Sequence, residues 1–236
     1  GESLVGWKHP GWVFQSPVEV ISLFEQNGFI TKLDQYVWER AASVLREWDN
    51  RGYPPIPVSV NVSRADIYHK DLADMLLGIV RRYRLQPSRL HLEITESAYT
   101  ENPEQVIETV GYLRELGFVI EMDDFGSGYS SLNLIQSIPV DTLKIDKVFF
   151  KDKTMELDRL KAVVGGIIRM SHSLSMVTVA EGVEYREQVE MLKQEGCDYI
   201  QGYIFDKPMN IASFEQKAFG ERLAEVRKSD PLGEPE

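Results

Sequence analysis

The chain has 236 residues, of which 43% are hydrophobic, and a formal net charge of −11. That length suits one large domain with a substantial core, and a βα barrel of about 250 residues is a natural size. The acidic balance disfavours polymeric nucleic acid and anionic membrane as partners, and no run approaches the roughly 18 apolar residues of a membrane span. The single cysteine, Cys197, excludes an internal disulfide and fits a reducing, cytoplasmic compartment. An anionic phosphate ligand would need metal ions or a few placed cations.

Strand-like runs alternate with helical patterns along the chain, the signature of an α/β fold with a largely parallel sheet. Ser3–Trp7 reads as a strand. Ser16-Pro17-Val18-Glu19 offers an N-cap serine, proline at the first helical position and glutamate at the third, so a helix starts there and Gly28 ends it. A second helix spans Thr31 to Trp48, with Leu33, Val37, Ala41, Val44 and Leu45 along one face. Strands follow at Pro57–Val62, Leu90–Thr95, Phe118–Asp123, Thr142–Ile145, Met176–Ala180 and Tyr199–Ile204. Helices Leu72–Tyr83, Pro103–Leu116, Ser130–Ile135, Leu157–His172 and Arg186–Glu195 fall between them, and Ala212–Arg227 closes the chain. Residues 228–236, with two prolines, one glycine and four charged residues in a short span, read as a flexible tail or cut linker.

Strand parity locates the chemistry. Val58, Val60 and Val62 alternate with Ser59 and Asn61; Leu90, Leu92 and Ile94 with His91, Glu93 and Thr95. Ile120 and Met122 oppose Val119, Glu121 and Asp123, and Leu143 and Ile145 oppose Thr142, Lys144 and Asp146. Successive side chains point to opposite faces, so every strand sends its polar set the same way. With helices covering the other face and no spacing for hairpins, the consistent solution is a closed barrel whose polar side chains line the mouth. Glu2, Asn61, Glu93, Asp123, Asp124, Lys144, Glu181 and Gln201 then converge.

Adjacent Asp123 and Asp124, at the end of an apolar run and before a glycine turn, repel each other unless a cation neutralises them. Carboxylates and an amide oxygen are hard ligands suited to Mg²⁺ or Mn²⁺, and this many carboxylates fit two ions about 3.5–4 Å apart, bridged by one aspartate. Such a pair activates water for in-line attack on phosphorus, and Lys144 suits the developing charge. His9, His69, His91 and His172 lack ligand spacing, and Cys197 reads as a packing residue.

In these motifs the chain resembles the EAL domain family of cyclic di-GMP phosphodiesterases. Glu2-Ser3-Leu4 stands for the family triplet, followed by Ser59-Val60-Asn61-Val62-Ser63 and Leu92-Glu93-Ile94-Thr95-Glu96-Ser97. Asp123-Asp124-Phe125-Gly126-Ser127-Gly128-Tyr129, Leu143-Lys144-Ile145-Asp146, Ala180-Glu181-Gly182-Val183-Glu184 and Gln201-Gly202-Tyr203 complete the set over about residues 1–210. The resemblance implies a modified TIM-type (β/α)8 barrel with one antiparallel strand, its N-terminal strand missing from this chain, over an EAL domain of residues 1–227. It implies hydrolysis of cyclic di-GMP to linear pGpG with two Mg²⁺ or Mn²⁺ ions. Glu2, Asn61, Glu93 and Asp123 would hold the first ion; Asp123 would bridge to a second, with Asp124 and Glu181. Lys144, Glu181 and Gln201 would be catalytic, Gln201 and Asp146 would face substrate, and Glu96 would anchor the metal loop. A homodimer through the loop and helix Asp124–Ile135 is also implied, with sensory, GGDEF or membrane segments lying upstream in longer relatives.

Departures cluster near the N-terminus. Gly6 precedes Trp7 where the family has arginine, and Val20 and Ser22 stand where Phe and Pro are usual. Losing one charge-assisted phosphate contact weakens binding by about 1.5–3 kcal/mol. Two other readings follow: a non-catalytic cyclic di-GMP receptor or protein-interaction module, and an unrelated barrel metalloenzyme of the enolase type.

Overall fold

The structure, a computed structural model, describes residues 1–4, 21, 23–25, 27–99, 102–128, 132–151 and 157–229. The expected helix start at Ser16-Pro17, together with Gly6, Trp7, His9, Trp12, Val20, Ser22 and Tyr129, lies outside these residues.

Among the described residues six strands pair in sequence order: β1 (Val58–Asn61), β2 (Leu90–Thr95), β3 (Val119–Phe125), β4 (Thr142–Ile145), β5 (Val177–Ala180) and β6 (Tyr199–Ile200). All five pairings are parallel. Every crossover therefore needs a long connection, which the intervening helices supply. Glu2 adds an isolated parallel bridge to Ser59, held by Ser3 N donating to Ser59 O at 2.9 Å and Ser59 N to Gly1 O at 2.8 Å. Glu2 and β6 thus stand at opposite edges of the sheet. Yet Gln201 Nε2, just past β6, donates to Glu2 Oε2 at 2.6 Å. The sheet is curled enough for one side-chain hydrogen bond to span its two edges.

The antiparallel strand implied by the family resemblance is absent among the described residues, where the sheet is wholly parallel. Three element boundaries also move. The third strand runs on through Asp124 to Phe125, because a register shift between Met122 and Phe125 inserts a residue where a turn was expected. The last strand stops at Ile200 rather than Ile204. Beyond it, a Cβ on Gly202 would fall 2.1 Å from Val183 O, so the chain leaves the sheet to pack on the Val183 backbone. The short helix expected at Ser130–Ile135 occupies Leu132–Ser137 among the described residues.

The helices are α1 (Ile30–Asn50), α2 (Arg64–Ile67), α3 (Leu72–Arg82), α4 (Pro103–Glu115), α5 (Leu132–Ser137), α6 (Val148–Lys151), α7 (Leu157–Ser173), α8 (Arg186–Gln194) and α9 (Ile211–Ser229). The segment before α1 closes at Gly28, as the sequence suggests, with Phe29 N donating to Phe24 O at 2.9 Å. Asn102 caps α4, accepting from Gln105 N with Pro103 at the first turn. The buried face of α1 includes Asp34 and Trp38 beside Val37, Ala41, Val44 and Leu45, while Leu33 is only half-buried. Trp38 turns inward because its indole N–H donates to Asn61 O at 2.8 Å.

The parity reading holds at the core. Val60, Leu92, Ile94, Ile120, Met122, Leu143 and Ile145 are all buried. Ile145, Ala180 and Val183 continue into one cluster with Leu160, Val164 and Ile168 of α7 and Val189, Met191 and Leu192 of α8.

The chain forms two compact units, Gly1–Phe205 and Asp206–Glu236. The second is built on α9, whose first turn is capped by Asn210 Oδ1 accepting from Ser213 N at 2.9 Å. Phe214 and Phe219 meet edge to face within it, their centroids 6.3 Å apart.

Candidate functional site

The polar sets of the strands meet around one ammonium. Lys144, on β4, is almost completely buried, and its Nζ donates to Glu93 Oε1 at 2.7 Å. It also lies 2.7 Å from Glu181 Oε1, 3.0 Å from Asp123 Oδ1 and 3.9 Å from Glu2 Oε2. Glu93 comes from β2, Asp123 from β3, Glu181 from the end of β5 and Glu2 from the bridge beside β1. Parallel pairing places all of these at one end of the sheet.

Burial by itself would drive the lysine to release its proton. The charges of Glu93, Asp123, Glu181 and Glu2 overcome that and hold it strongly protonated. Burial lifts Glu93 well above the ordinary carboxylate range against the pull of Lys144. Glu181 rises to about 7, again mainly through burial, with the Asp123 charge adding to it. Asp124 rises to about 6 through burial, the neighbouring charges of Asp123 and Asp146 and a hydrogen bond to Asp146.

One ammonium does not satisfy this cage. Glu93 Oε2, Asp123 Oδ1 and Glu181 Oε1 are buried without an aligned hydrogen-bond partner. Carboxylate atoms of Asp123, Asp124 and Glu181 all lie within 4.8 Å of one another. Oxygen-only donors with unused lone pairs match the chemistry of Mg²⁺ or Mn²⁺, so the residues present fit such an ion.

Backbone geometry aims the second aspartate. Asp124 sits at the β3 irregularity with φ at 56°, a left-handed conformation unusual outside glycine. Gly126 follows at φ 95°, and its N–H donates to Glu96 Oε2 at 3.0 Å. Asp146 Oδ1 accepts from Val148 N at 2.7 Å where α6 begins, and Asp146 N donates to Phe125 O at 3.2 Å, tying the end of β4 to the same loop.

The sequence-derived set is therefore largely gathered. Glu2, Glu93, Asp123 and Glu181 each meet Lys144, Gln201 meets Glu2, and Asp124 and Asp146 adjoin them. Asn61 is beside Glu93 in the strand register, and Glu96 touches the loop rather than the cage. Sequence reading missed a companion pair below the cage. His91 Nδ1 lies 2.6 Å from Glu121 Oε1, and burial of Glu121 is outweighed by this partner, so its carboxyl is held below the usual range. Parity had placed both inward, but nothing in the spacing paired them. The other described histidines are engaged elsewhere: His69 accepts from Asp71 N, and His172 pairs with Asp198 at 2.8 Å. Cys197 packs beside the core cluster.

The EAL domain model matches residues 1–208. The chain belongs to the EAL domain family. It is 36% identical over 215 residues to the cyclic di-GMP phosphodiesterase NbdA of Pseudomonas aeruginosa, an alignment covering 91% of this chain and 27% of that protein. It is 34% identical over 215 residues to the signaling protein YkoW of Bacillus subtilis, with the same coverage of both chains. The chain thus spans about a quarter of the length of these curated relatives. The solved PaMucR phosphodiesterase in complex with c-di-GMP has a TM-score of 0.84 and 32% identity, covering 90% of this chain and 86% of that one. EAL membership accounts for the curled parallel sheet and the acidic group at its end. No helix among the described residues is long and apolar enough to cross a membrane.

Proposed function

We propose that this EAL domain hydrolyses cyclic di-GMP to linear pGpG in a metal-dependent reaction. The observation that carries the reading is the cage itself: Glu93, Asp123 and Glu181, from β2, β3 and the end of β5, share one buried ammonium, and Glu93 Oε2 is buried with no partner among the described residues. The relatives named above, one a cyclic di-GMP phosphodiesterase and one solved with c-di-GMP, support the substrate.

In this reading Glu2, Asn61, Glu93 and Asp123 would hold one Mg²⁺ or Mn²⁺, and Asp123, Asp124 and Glu181 would hold the other. When bound, the ions supply Lewis-acid polarisation of the phosphoryl oxygens and lower the pKa of water. The chain's own residues do the rest. Lys144 keeps its positive charge under the reacting phosphorus, where negative charge develops. Glu181, at the edge of the cage, takes a proton from the attacking water. The new bond joins water oxygen to phosphorus, the P–O3′ bond breaks in line, and the leaving oxygen takes up a proton from solvent to become the 3′-hydroxyl of pGpG, while Glu181 returns its proton to solvent. Gln201, fixed through Glu2, positions one side of the site, Asp146 faces substrate, and Glu96 anchors the metal loop.

The same reading takes residues 1–227 as the working domain, with the architecture of a modified (β/α)8 barrel, cytoplasmic, and dimeric through the Asp124–Ile135 loop and helix. Incubation of purified protein with cyclic di-GMP and Mn²⁺, followed by chromatography, tests it. Appearance of pGpG is the expected result. Bound but intact cyclic di-GMP would instead make the chain a receptor.

A further inference from the structure

Phe149 projects from α6 onto the metal loop. A Cβ on Gly126 would lie 2.2 Å from Phe149 Cε2 and 2.4 Å from Cζ, so the ring edge already fills the space beside that glycine. The same ring packs against the cluster of Ile145, Phe150, Leu160, Val164 and Ile168, which joins β4 to α6 and α7. It bridges the core and the loop.

The loop needs such a hold. Asp124 is kept at φ 56° and Gly126 at φ 95°. A non-glycine residue in the left-handed region persists only where its surroundings over-determine it. Glu96 Oε2 fixes the Gly126 N–H at 3.0 Å, and Asp146 N donates to Phe125 O at 3.2 Å. Both grip the backbone through hydrogen bonds but leave one side of Gly126 unrestrained. Phe149 closes that side. Its own place is set by the turn after β4, where Phe149 N donates to Asp146 O at 3.3 Å.

We propose that Phe149 is a positioning residue for the metal site: by seating its ring on Gly126 it holds the carboxylate of Asp124 in register with Asp123 and Glu181. This rests on the metal-dependent reading above. Asp123 is held by regular strand pairing to Thr95, whereas Asp124 lies in the shifted stretch of β3, so loss of the ring falls mainly on the ion that Asp124 would help to hold.

The test is Mn²⁺ calorimetry on chelator-stripped wild type, Phe149→Ala, Phe149→Leu and Phe149→Tyr, with circular dichroism and melting curves alongside. Phe149→Ala is expected to weaken one of two Mn²⁺ sites by about ten- to a hundredfold, the range seen when an outer-shell support is removed. With cyclic di-GMP, kcat should fall while KM moves little. Phe149→Leu, still apolar and able to cover Gly126, should restore most of the affinity. Phe149→Tyr should not, because its hydroxyl attaches to Cζ, one of the two ring atoms set against the glycine. Folded Phe149→Ala with both wild-type Mn²⁺ affinities would overturn the proposal. If the alanine variant does not fold, the Leu and Tyr variants decide it, and Tyr matching wild type refutes it. A wild type that binds no Mn²⁺ would overturn the metal reading itself, a result separable from any effect of the ring.

Discussion

At Lys144 three carboxylates lie within 3.0 Å of one ammonium, and the site's electrostatics turn on that residue. Lys144→Ala leaves Glu93 and Glu181 buried without their counter-charge, which costs about 3–5 kcal/mol in the metal-free protein. Mn²⁺ should recover much of that loss, while pGpG formation falls by about 10²–10³-fold. Melting curves with and without Mn²⁺, paired with product assays, check both; unchanged turnover would remove Lys144 from the mechanism. Gly6 offers the opposite experiment. Gly6→Arg restores the family's charge and should tighten cyclic di-GMP by about ten- to a hundredfold, through one charge-assisted contact; an unaltered KM would show that the arginine is not missed. Asp34, away from the cage, makes stability pH-dependent between mildly acidic and slightly basic conditions. Burial, then the hydrogen bond and charge of Asp66, raise its carboxyl from 3.8 to about 8, so between those values the folded chain holds a proton that the unfolded chain releases. Stability is therefore full below the lower value and declines as pH rises towards the upper one. Asp34→Asn stays neutral and should lose this slope, its melting advantage over wild type widening between about pH 5 and pH 8. A constant gap would contradict it.

Among the elements, β2 and β4 were the most legible. Alternation of Leu92 and Ile94 with His91 and Glu93 gave both the buried face and the site face, since a two-residue period leaves little freedom once one side is apolar. Leu92→Ala, at a fully buried position, should cost about 2–5 kcal/mol in chemical denaturation without altering Mn²⁺ affinity. A loss of metal affinity there would mean that the two faces are not independent. β3 was less legible at its end. The residues Asp123-Asp124 announce a charged terminus, but no local pattern encodes the inserted residue that carries the strand through Asp124 and turns that side chain. α1 misled for a related reason. Spacing sets the apolar face at Leu33, Val37, Ala41, Val44 and Leu45, but Leu33 is only half-buried while Asp34 is buried against its tertiary partners Ser63 and Asp66.

For the whole molecule, the alternation of strands and helices made the parallel α/β class legible, and the joint motif set identified the family over nearly the full chain. Strand parity and the covering helices call for a closed barrel and the described sheet does curl, but the contact that spans its edges joins Gln201 and Glu2, 199 positions apart, which no local pattern encodes. That closure brings Glu2 to Lys144 and completes the acidic cage on which the functional reading depends. The most direct test is to strip the protein with chelator and add Mn²⁺ stepwise, following metal binding by calorimetry and pGpG from cyclic di-GMP in the same samples, for wild type and Asp123→Asn. Product should rise with metal occupancy in wild type, and both should be lost in the variant, whose shared ligand is gone. Full hydrolysis without divalent metal, or by Asp123→Asn, would contradict a metal-dependent phosphodiesterase built on this cage.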